Sequence, residues 1–232
     1  MVAAALVPAA GLGVRMGTGA LKALRLLAGE PLLVHAVRGL LAARMVAQVV
    51  VAAPPGQEDV VRRLLPAGVL VVPGGATRTD SVAAALAAAD PALEVVLVHD
   101  AARPLTPPAL IDAVVGVVLD GAGAVVPALP VTDTVKRVDA AGRVLGTVDR
   151  ADLRAVQTPQ GFRREVLLRA YAAAAADSAA GARAEATDDA GLVERLGLEV
   201  VTVVGSDEAF KVTRPADLLF AETLLAGRRA TP

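Results

Sequence analysis

Short, continuously apolar segments alternate along the chain with segments of helical periodicity, and this alternation is the feature that most restricts the fold. A strand that is apolar at nearly every position is buried on both faces of its sheet, as in parallel sheets covered by helices. The alternation therefore predicts an α/β fold with a doubly wound, mostly parallel sheet. The predicted strands are residues 2–8, 48–53, 68–73, 94–100, 123–129 and 199–204.

The segments between these strands fit the helices of one domain. At 232 residues the chain is long enough for one sizeable core, and α/β domains of this length commonly stay undivided. We predict a single domain over residues 1–232, with its ligands beyond the carboxyl ends of the strands. The predicted helices are residues 31–43, 57–65, 80–89, 107–119, 162–175, 188–196 and 215–226.

Residues 131–150 break the alternation. The segment VTDTVKRVDAAGRVLGTVDR is polar and β-branched with a turn at DAAG, a pattern typical of a two-stranded hairpin. A hairpin with little apolar surface to bury is only marginally stable in water, so it needs another surface to pack against. A second copy of the chain is the economical candidate, and we predict that residues 131–150 form a protruding dimerisation arm. An exposed basic hairpin that binds nothing is the alternative.

The composition excludes several classes of function. No apolar run is long enough to span a bilayer despite a mean hydropathy of +0.57, and the N-terminal strand lacks the basic flank of a signal peptide. A net charge of -1 and 2% aromatic residues provide neither the basic surface nor the stacking platforms of a nucleic-acid-binding protein. The absence of cysteine excludes disulfides and thiolate metal sites and fits a reducing cytoplasm.

The stretch PAAGLGVRMG, residues 8–17, follows the first strand directly. A dinucleotide fingerprint would have glycine where Met16 stands and an acidic residue after the second strand, and a Walker loop would end in Gly-Lys-Ser/Thr. Both are missing. What remains is a glycine loop whose amides could approach phosphate oxygens while Arg15 and Lys22 supply positive charge, an arrangement suited to a triphosphate. Ordinary surface charge is the alternative for both cations.

Lysine is rare in this chain. Lys22, Lys136 and Lys211 are the only lysines among 23 basic residues. A bias toward arginine would replace lysines that need only be positive, so those that remain are candidates for a compact ammonium on a flexible stem. Chance is the competing explanation.

The motif HDAARP, residues 99–104, places polar side chains at the carboxyl end of a predicted buried strand. Asp100 could hold a magnesium ion, a ribose hydroxyl or a substrate hydroxyl. Arg103 could bind phosphate, buttress the loop or form a salt bridge. We predict His99 to be a packed residue rather than a base, because a phosphate oxygen is already ionised and needs no base to remove a proton. We predict His35 to be a core residue of a helix.

Eight motifs follow one another along nearly the whole chain: PAAGLGVRMG with Lys22, GGATRTDSV at 74–82, HDAARP, DTVKR at 133–137, TVDR at 147–150, QTPQGF at 157–162, TDDA at 187–190 and KVTRPADL at 211–218. Each is weak alone, but in this order they resemble the bacterial and plastid 2-C-methyl-D-erythritol 4-phosphate cytidylyltransferases of non-mevalonate isoprenoid synthesis. The resemblance implies a Rossmann-like nucleotidyltransferase fold, which agrees with the predicted sheet.

The resemblance implies a site that takes CTP and a polyol phosphate as substrates and magnesium as cofactor, the ion being assigned to Asp100. Arg15, Lys22 and Lys211 are implied to be catalytic, and Thr134 and Arg150 to reach the neighbouring site of a homodimer. The implied nucleotide-binding residues are Pro8, Ala9, Ala10, Gly11, Gly13, Gly75, Ser81, Asp100 and Ala101; the implied substrate-binding residues are Arg103, Thr134, Arg150, Thr158 and Lys211.

Some residues of these motifs keep two interpretations. The backbone near Gly75 and the Ser81 hydroxyl would select cytosine, although Ser81 could equally be only a cap, since the sequence places a helix start at Asp80 or Ser81. Thr158 is assigned to the substrate pocket, with a simple turn as the alternative. The role of Arg78 stays open.

The implied reaction transfers CMP from CTP to 2-C-methyl-D-erythritol 4-phosphate and releases pyrophosphate. A ribitol 5-phosphate cytidylyltransferase is the nearest alternative, but DTVKR and HDAARP favour methylerythritol phosphate. A non-catalytic nucleotide-binding protein of the same fold is a further alternative. The joint presence of the candidate cations and Asp100 argues against it.

Overall fold

The structure, a computed structural model, describes residues 1–11, 22–179 and 187–230, with no side-chain placement for Lys22, Arg229 and Ala230. Each predicted strand lies within one residue or two of an observed one. The strands are β1 (Ala3–Pro8), β2 (Leu26–Leu27), β3 (Glu30–Pro31), β4 (Val46–Ala53), β5 (Leu70–Pro73), β6 (Val95–Val98), β7 (Ala124–Pro130), β8 (Val135–Val138), β9 (Val144–Val148), β10 (Arg154–Val156), β11 (Gln160–Arg163) and β12 (Val201–Val204).

The helices follow the strands in alternation. Short 3-10 helices occur at Lys22–Leu24 and Asp207–Ala209. No helix within the described parts of the chain is both long enough and apolar enough to cross a bilayer. The α-helices are α1 (Leu32–Ala42), α2 (Glu58–Leu64), α3 (Arg78–Ala88), α4 (Pro108–Leu119), α5 (Arg164–Ala179), α6 (Asp189–Arg195) and α7 (Pro215–Ala230).

The central sheet is mostly parallel, which confirms the predicted fold class. Its path runs β10-β7-β11-β6-β1-β4-β5, and β12 also pairs with β7. β1 is parallel to β4 and β6, β4 to β5, and β12 to β7, whereas β10 and β11 are antiparallel to their partners. We call the edge where β1, β4, β5 and β6 end the carboxyl edge. Because β11 is reversed, the chain enters β11 at this same edge.

Helices cover both faces of the sheet. Along β1, Ala3, Ala5 and Val7 join a core with α1 and α4, whereas Ala4 and Leu6 join a second core with α3, α5 and α6. This division follows from the two-residue period of a strand, which sends successive side chains to opposite faces. Burial on both faces explains why the strand sequences are continuously apolar.

Two helix starts differ from the sequence prediction by two residues or more. Helix α3 begins at Arg78 rather than at Asp80 or Ser81, because Thr77 is its N-cap and forms a reciprocal capping box with Asp80. The predicted helix at 162–175 begins two residues later, at Arg164, since Gln160–Arg163 forms β11 between β6 and β7. This short strand was not predicted.

The segment 131–150 is a hairpin, as predicted. β8 and β9 pair only with each other and form a separate two-stranded sheet within the described structure. Val138, Val144 and Leu145 on this hairpin are 52%, 61% and 64% exposed. We call residues 131–150 the arm.

Candidate active site

The loop after β1 begins at the carboxyl edge against the loop after β5. Ala9 is buried, and its amide donates to the carbonyl of Ala52 at 2.8 Å. The Gly74 amide donates to Ala53, and a Cβ on Gly74 would lie 2.7 Å from the Cβ of Ala10. The two loops are therefore in contact, and glycine is required at position 74 because a side chain there would overlap its neighbour.

The cations assigned to the triphosphate fall wholly or partly outside the described residues. Gly13 and Arg15 lie outside the described residues, and of Lys22 only the backbone, at the start of a 3-10 helix, is described. Pro8 and Ala9 end β1, and Ala10 and Gly11 continue at the carboxyl edge. The described part of the glycine loop thus occupies the expected edge of the sheet, and its nucleotide-binding role stays a prediction.

The Ser81 hydroxyl forms two hydrogen bonds with the backbone of the GGATRTDSV loop. It donates to the carbonyl of Thr77 at 2.9 Å and accepts from the amide of Gly75 at 3.1 Å, and the side chain is buried. Ser81 is not the N-cap of α3, because Thr77 has that position. A Cβ on Gly75 would lie 2.2 Å from the Cβ of Asp80, so the loop packs directly on the first turn of the helix.

Asp100 and Lys211 meet at the centre of the carboxyl edge. The Lys211 Nζ lies 2.6 Å from Oδ2 of Asp100, and a guanidinium nitrogen of Arg78 lies 3.5 Å from Oδ1. Burial opposes ionisation of Asp100, but Lys211 and Arg78 outweigh it and hold the pKa of the carboxyl well below its usual range. Asp100 is therefore a carboxylate at neutral pH, with a cation on each oxygen.

Arg78 connects Asp100 to a second, fully buried carboxylate. Its guanidinium lies 2.7 Å from Oδ2 of Asp189, a residue that is 1% exposed and accepts a hydrogen bond from the Tyr171 hydroxyl. Burial opposes the charge of Arg78, but the two carboxylates raise its pKa. The sequence left Arg78 unassigned and did not single out Asp189, since burial of an acidic residue has no signature in the TDDA motif.

Arg103 lies beneath the loop that carries Lys211. Its guanidinium donates to the carbonyl of Ala209 at 2.6 Å and to that of Val156 at 3.3 Å, and the residue is 9% exposed. These contacts correspond to the buttressing interpretation of Arg103. Its assignment to substrate stays a prediction.

Thr158 and His99 fix the end of β6 from inside. Thr158 Oγ1 accepts from the Asp100 amide at 3.0 Å and lies 3.1 Å from Nδ1 of His99, whose Nε2 lies 3.3 Å from the carbonyl of Arg103. A carbonyl only accepts, so we assign the proton to Nε2 and a Thr158 O–H donation to Nδ1. Burial lowers the pKa of His99 to about 4. The structure confirms His99 as a packed residue, and His35 is likewise buried, with Nε2 2.9 Å from the Leu27 carbonyl.

Asp100, Lys211, Arg78, Arg103 and Thr158 line a pocket of about 210 Å³ at the carboxyl edge. A larger cavity of about 440 Å³ lies at the opposite edge, beside Glu94 and Arg164, and contains none of the candidate residues. Thr134 and Arg150 are exposed on the arm and do not line the first pocket, and Arg150 donates to the carbonyl of Thr132 within the arm. The first pocket is lined by Arg78, Asp100, Arg103, Val156, Gln157, Thr158, Gln160, Thr187, Asp188 and Lys211.

Two carboxylates line the pocket, and that of Asp188 already accepts hydrogen bonds from Gln160 and the Gly191 amide, so Asp100 is the candidate for a metal ion. Within residues 1–11, 22–179 and 187–230, no three His, Cys, Asp or Glu side chains are grouped to hold a cation. Magnesium bound to a nucleotide needs only one or two carboxylates, because phosphates and water complete its octahedron. Each oxygen of Asp100 retains a lone pair beyond its contact with Arg78 or Lys211, so Asp100 fits that limited role.

Comparison with known proteins decides the family. The sequence model of the family described as IspD, 2-C-methyl-D-erythritol 4-phosphate cytidylyltransferase, matches residues 3–227 of the chain. The chain belongs to the IspD family. The resemblance found in the eight motifs is thus confirmed over nearly the whole sequence.

Several IspD relatives are similar along almost the whole of this chain. The 2-C-methyl-D-erythritol 4-phosphate cytidylyltransferase of Frankia casuarinae is 60% identical over 223 residues, which cover 96% of this chain and 81% of that protein. The one from Streptomyces avermitilis is 53% identical, with 97% and 92% covered. The crystal structure of the enzyme from Thermus thermophilus superimposes with a TM-score of 0.79 at 41% identity and covers 97% of this chain and 100% of that one.

Proposed function

We propose that the chain transfers the cytidylyl group of CTP to 2-C-methyl-D-erythritol 4-phosphate, forming 4-diphosphocytidyl-2-C-methyl-D-erythritol and pyrophosphate. The observation that carries this proposal is membership of the IspD family over residues 3–227, in a chain whose carboxyl edge presents Lys211 against Asp100. The product is a precursor in non-mevalonate isoprenoid synthesis.

The proposed reaction needs positioning and charge neutralisation rather than a base. A phosphate oxygen of methylerythritol phosphate attacks the α-phosphorus of CTP, and the bond to pyrophosphate breaks. The nucleophile is already ionised near neutral pH, which agrees with a His99 that burial keeps uncharged. Two anions must approach each other, so correctly placed cations supply most of the rate enhancement.

We assign the cations to two groups. The glycine loop with Arg15 and Lys22 would hold the triphosphate, and Lys211 would hold the phosphate of the nucleophile. Magnesium, when bound at Asp100, would neutralise charge on the phosphates of CTP. Arg103 and Thr158 would shape the pocket around the polyol.

We also propose a homodimer in which the arm completes the neighbouring site. Three large apolar side chains of the arm are more than half exposed, and β8 and β9 pair only with each other in the described chain, so a second subunit would supply the surface that the arm needs. Thr134 and Arg150 would then hold the methylerythritol phosphate of the partner. Both are exposed on the arm.

Mixing two inactive variants tests the shared site. Lys22→Ala would disable the glycine-loop part of each site and Arg150→Ala the arm part, so a mixed dimer would contain one intact site. Partial recovery of activity on mixing, with a dimer mass in analytical ultracentrifugation, is expected. Two inactive dimers that exchange subunits without recovering activity would argue against a site shared between subunits.

Pyrophosphate release with CTP and magnesium tests the reaction itself. Methylerythritol phosphate, ribitol 5-phosphate and a third polyol phosphate are compared, with Lys211→Ala as the inactive variant and Arg44→Ala as the control, since Arg44 is an exposed cation far from the pocket. We expect turnover with methylerythritol phosphate. Turnover of ribitol 5-phosphate alone would replace the proposed substrate, and CTP binding without pyrophosphate release would indicate a non-catalytic protein.

We also propose a cytoplasmic location, which the lack of cysteine supports, and a single domain over residues 1–232.

A further inference from the structure

Four charged side chains form an alternating row across the carboxyl edge. From the interior outward the row is Asp189, Arg78, Asp100 and Lys211, with contacts of 2.7, 3.5 and 2.6 Å. The inner end is buried and the outer end, Lys211, is 44% exposed. Each charge thus has an opposite charge beside it, and Lys211 is the most exposed of the four.

The inner half of the row is fixed in place. Arg78 is the first residue of α3, and the capping box of Thr77 and Asp80 holds that helix end. Asp189 stands in the first turn of α6, receives the Tyr171 hydroxyl, and follows Asp188, whose carboxylate caps the helix through the amide of Gly191. Arg78 therefore spans two helix starts whose backbones are both restrained.

The outer half of the row depends on Arg78. Asp100 has one oxygen toward Arg78 and the other toward Lys211. Without the guanidinium, Asp100 would lose one of the two contacts that orient its carboxylate, and the direct contact that the structure describes with Lys211 would remain. A lysine bound more tightly to its own carboxylate is less available to an anionic ligand, and its Nζ is less well placed.

We propose that Arg78 is a positioning residue for the transfer reaction: one guanidinium nitrogen lies between Asp189 and Asp100, and this bridge orients Asp100 and so holds the Lys211 ammonium toward the incoming phosphate. The inference rests on the proposed function, in which Lys211 holds the nucleophile. A lysine in this place would provide the same charge, but its shorter side chain would not bring the ammonium to the position of the guanidinium nitrogen that contacts both carboxylates.

The competing explanation is that Arg78 only neutralises Asp189, since a buried carboxylate left without its partner is costly. Two variants separate the explanations. Arg78→Gln/Asp189→Asn removes both charges, so no buried carboxylate is left unpaired and stability is kept. Arg78→Lys keeps a cation beside Asp189 but shortens the side chain, so the contact with Asp100 is lost. Arg44→Gln is the matched control, because Arg44 also faces an aspartate, Asp112, but is 93% exposed and outside the pocket.

Steady-state kinetics on variants whose melting temperature matches the wild type give the test. We expect kcat/KM for methylerythritol phosphate to fall at least about tenfold in both folded variants and not in the control, with the KM for the polyol phosphate rising more than the KM for CTP. Recovery of wild-type kcat/KM in either variant, or equal rises in both KM values, would overturn the inference. If the wild type turns over no polyol phosphate, the proposed function fails and the inference fails with it. If the wild type is active and the variants match its kcat/KM, the inference alone fails.

Discussion

The guanidinium of Arg103 donates to the carbonyl oxygen of Ala209 at 2.6 Å, two residues before Lys211. On the other side of Lys211, the amide of Val212 donates to the carbonyl of Ala102 at 2.8 Å. The loop after β6 therefore holds the backbone of Lys211 from both sides. The position of the Lys211 ammonium is set by these contacts as well as by Asp100.

Replacing Arg103 by lysine would weaken this attachment. A single ammonium cannot reach both Ala209 and Val156 in the geometry of the guanidinium, so a buried carbonyl loses its donor, at a cost of about 1–3 kcal/mol. Urea unfolding and steady-state kinetics together check this, and we expect the free energy of unfolding and kcat/KM to fall together. Lost activity with unchanged stability would instead indicate direct contact between Arg103 and substrate.

Gly75→Ala should disturb the start of α3. Its new Cβ would lie 2.2 Å from the Cβ of Asp80, so the capping box has to move, and we expect a loss of about 1–3 kcal/mol in the free energy of unfolding. Gly116→Ala is the matched control, because that glycine lies inside α4 with open space around it and should gain about 0.5–1 kcal/mol from helix propensity. Chemical denaturation measures both; equal stability of the two variants would contradict the packing argument.

His99 should make the protein less stable in mild acid. Burial lowers its pKa from 6.5 to about 4, so between these values the unfolded chain binds a proton that the folded chain does not. The contribution of His99 is therefore fully present above pH 6.5 and is lost as the pH falls toward 4, with a total of about 3 kcal/mol. Urea unfolding at several pH values across this window should show a slope that His99→Gln reduces. An unchanged slope in that variant would assign the effect to other groups.

Arg15→Ala and Lys22→Ala should each remove roughly 3 kcal/mol or more of transition-state stabilisation, comparable with the loss of a key oxyanion donor. The physical reason is that negative charge increases at the phosphates during attack, so a missing cation costs more in the transition state than in the ground state. The ratio of kcat/KM in wild type and variant gives the value. Near-wild-type turnover in either variant would remove that residue from the assigned machinery.

The apolar strands were predictable because burial on both faces leaves them without polar positions. β11 was not, because Gln160–Arg163 contains one large apolar residue, Phe162, and becomes a strand through its insertion between β6 and β7. The start of α3 could have been found, since Thr77 and Asp80 have the spacing of a capping box.

The site was predictable in part. Motif order placed Asp100, Thr158 and Lys211 in one family pattern, and the structure brings them together around the same pocket. The contact of Arg78 with Asp189 was not predictable, because these residues come from separate helices on one face of the sheet and their pairing depends on how α3 and α6 pack. Arg103 kept several interpretations because an arginine can donate to carbonyls, carboxylates and phosphates, and the sequence does not show which of these lies beside it.

The reversed strand β11 has a consequence for how the arm and the pocket are joined. Because the chain enters β11 at the carboxyl edge, it runs from the arm through β10 to Thr158 without crossing the sheet. Residues 149–158, from the end of β9 to Thr158, thus form one continuous strip of backbone that contains β10 and no helix. A shift of the arm would travel along a few residues of that strip to the floor of the pocket, with no helix between them to absorb it.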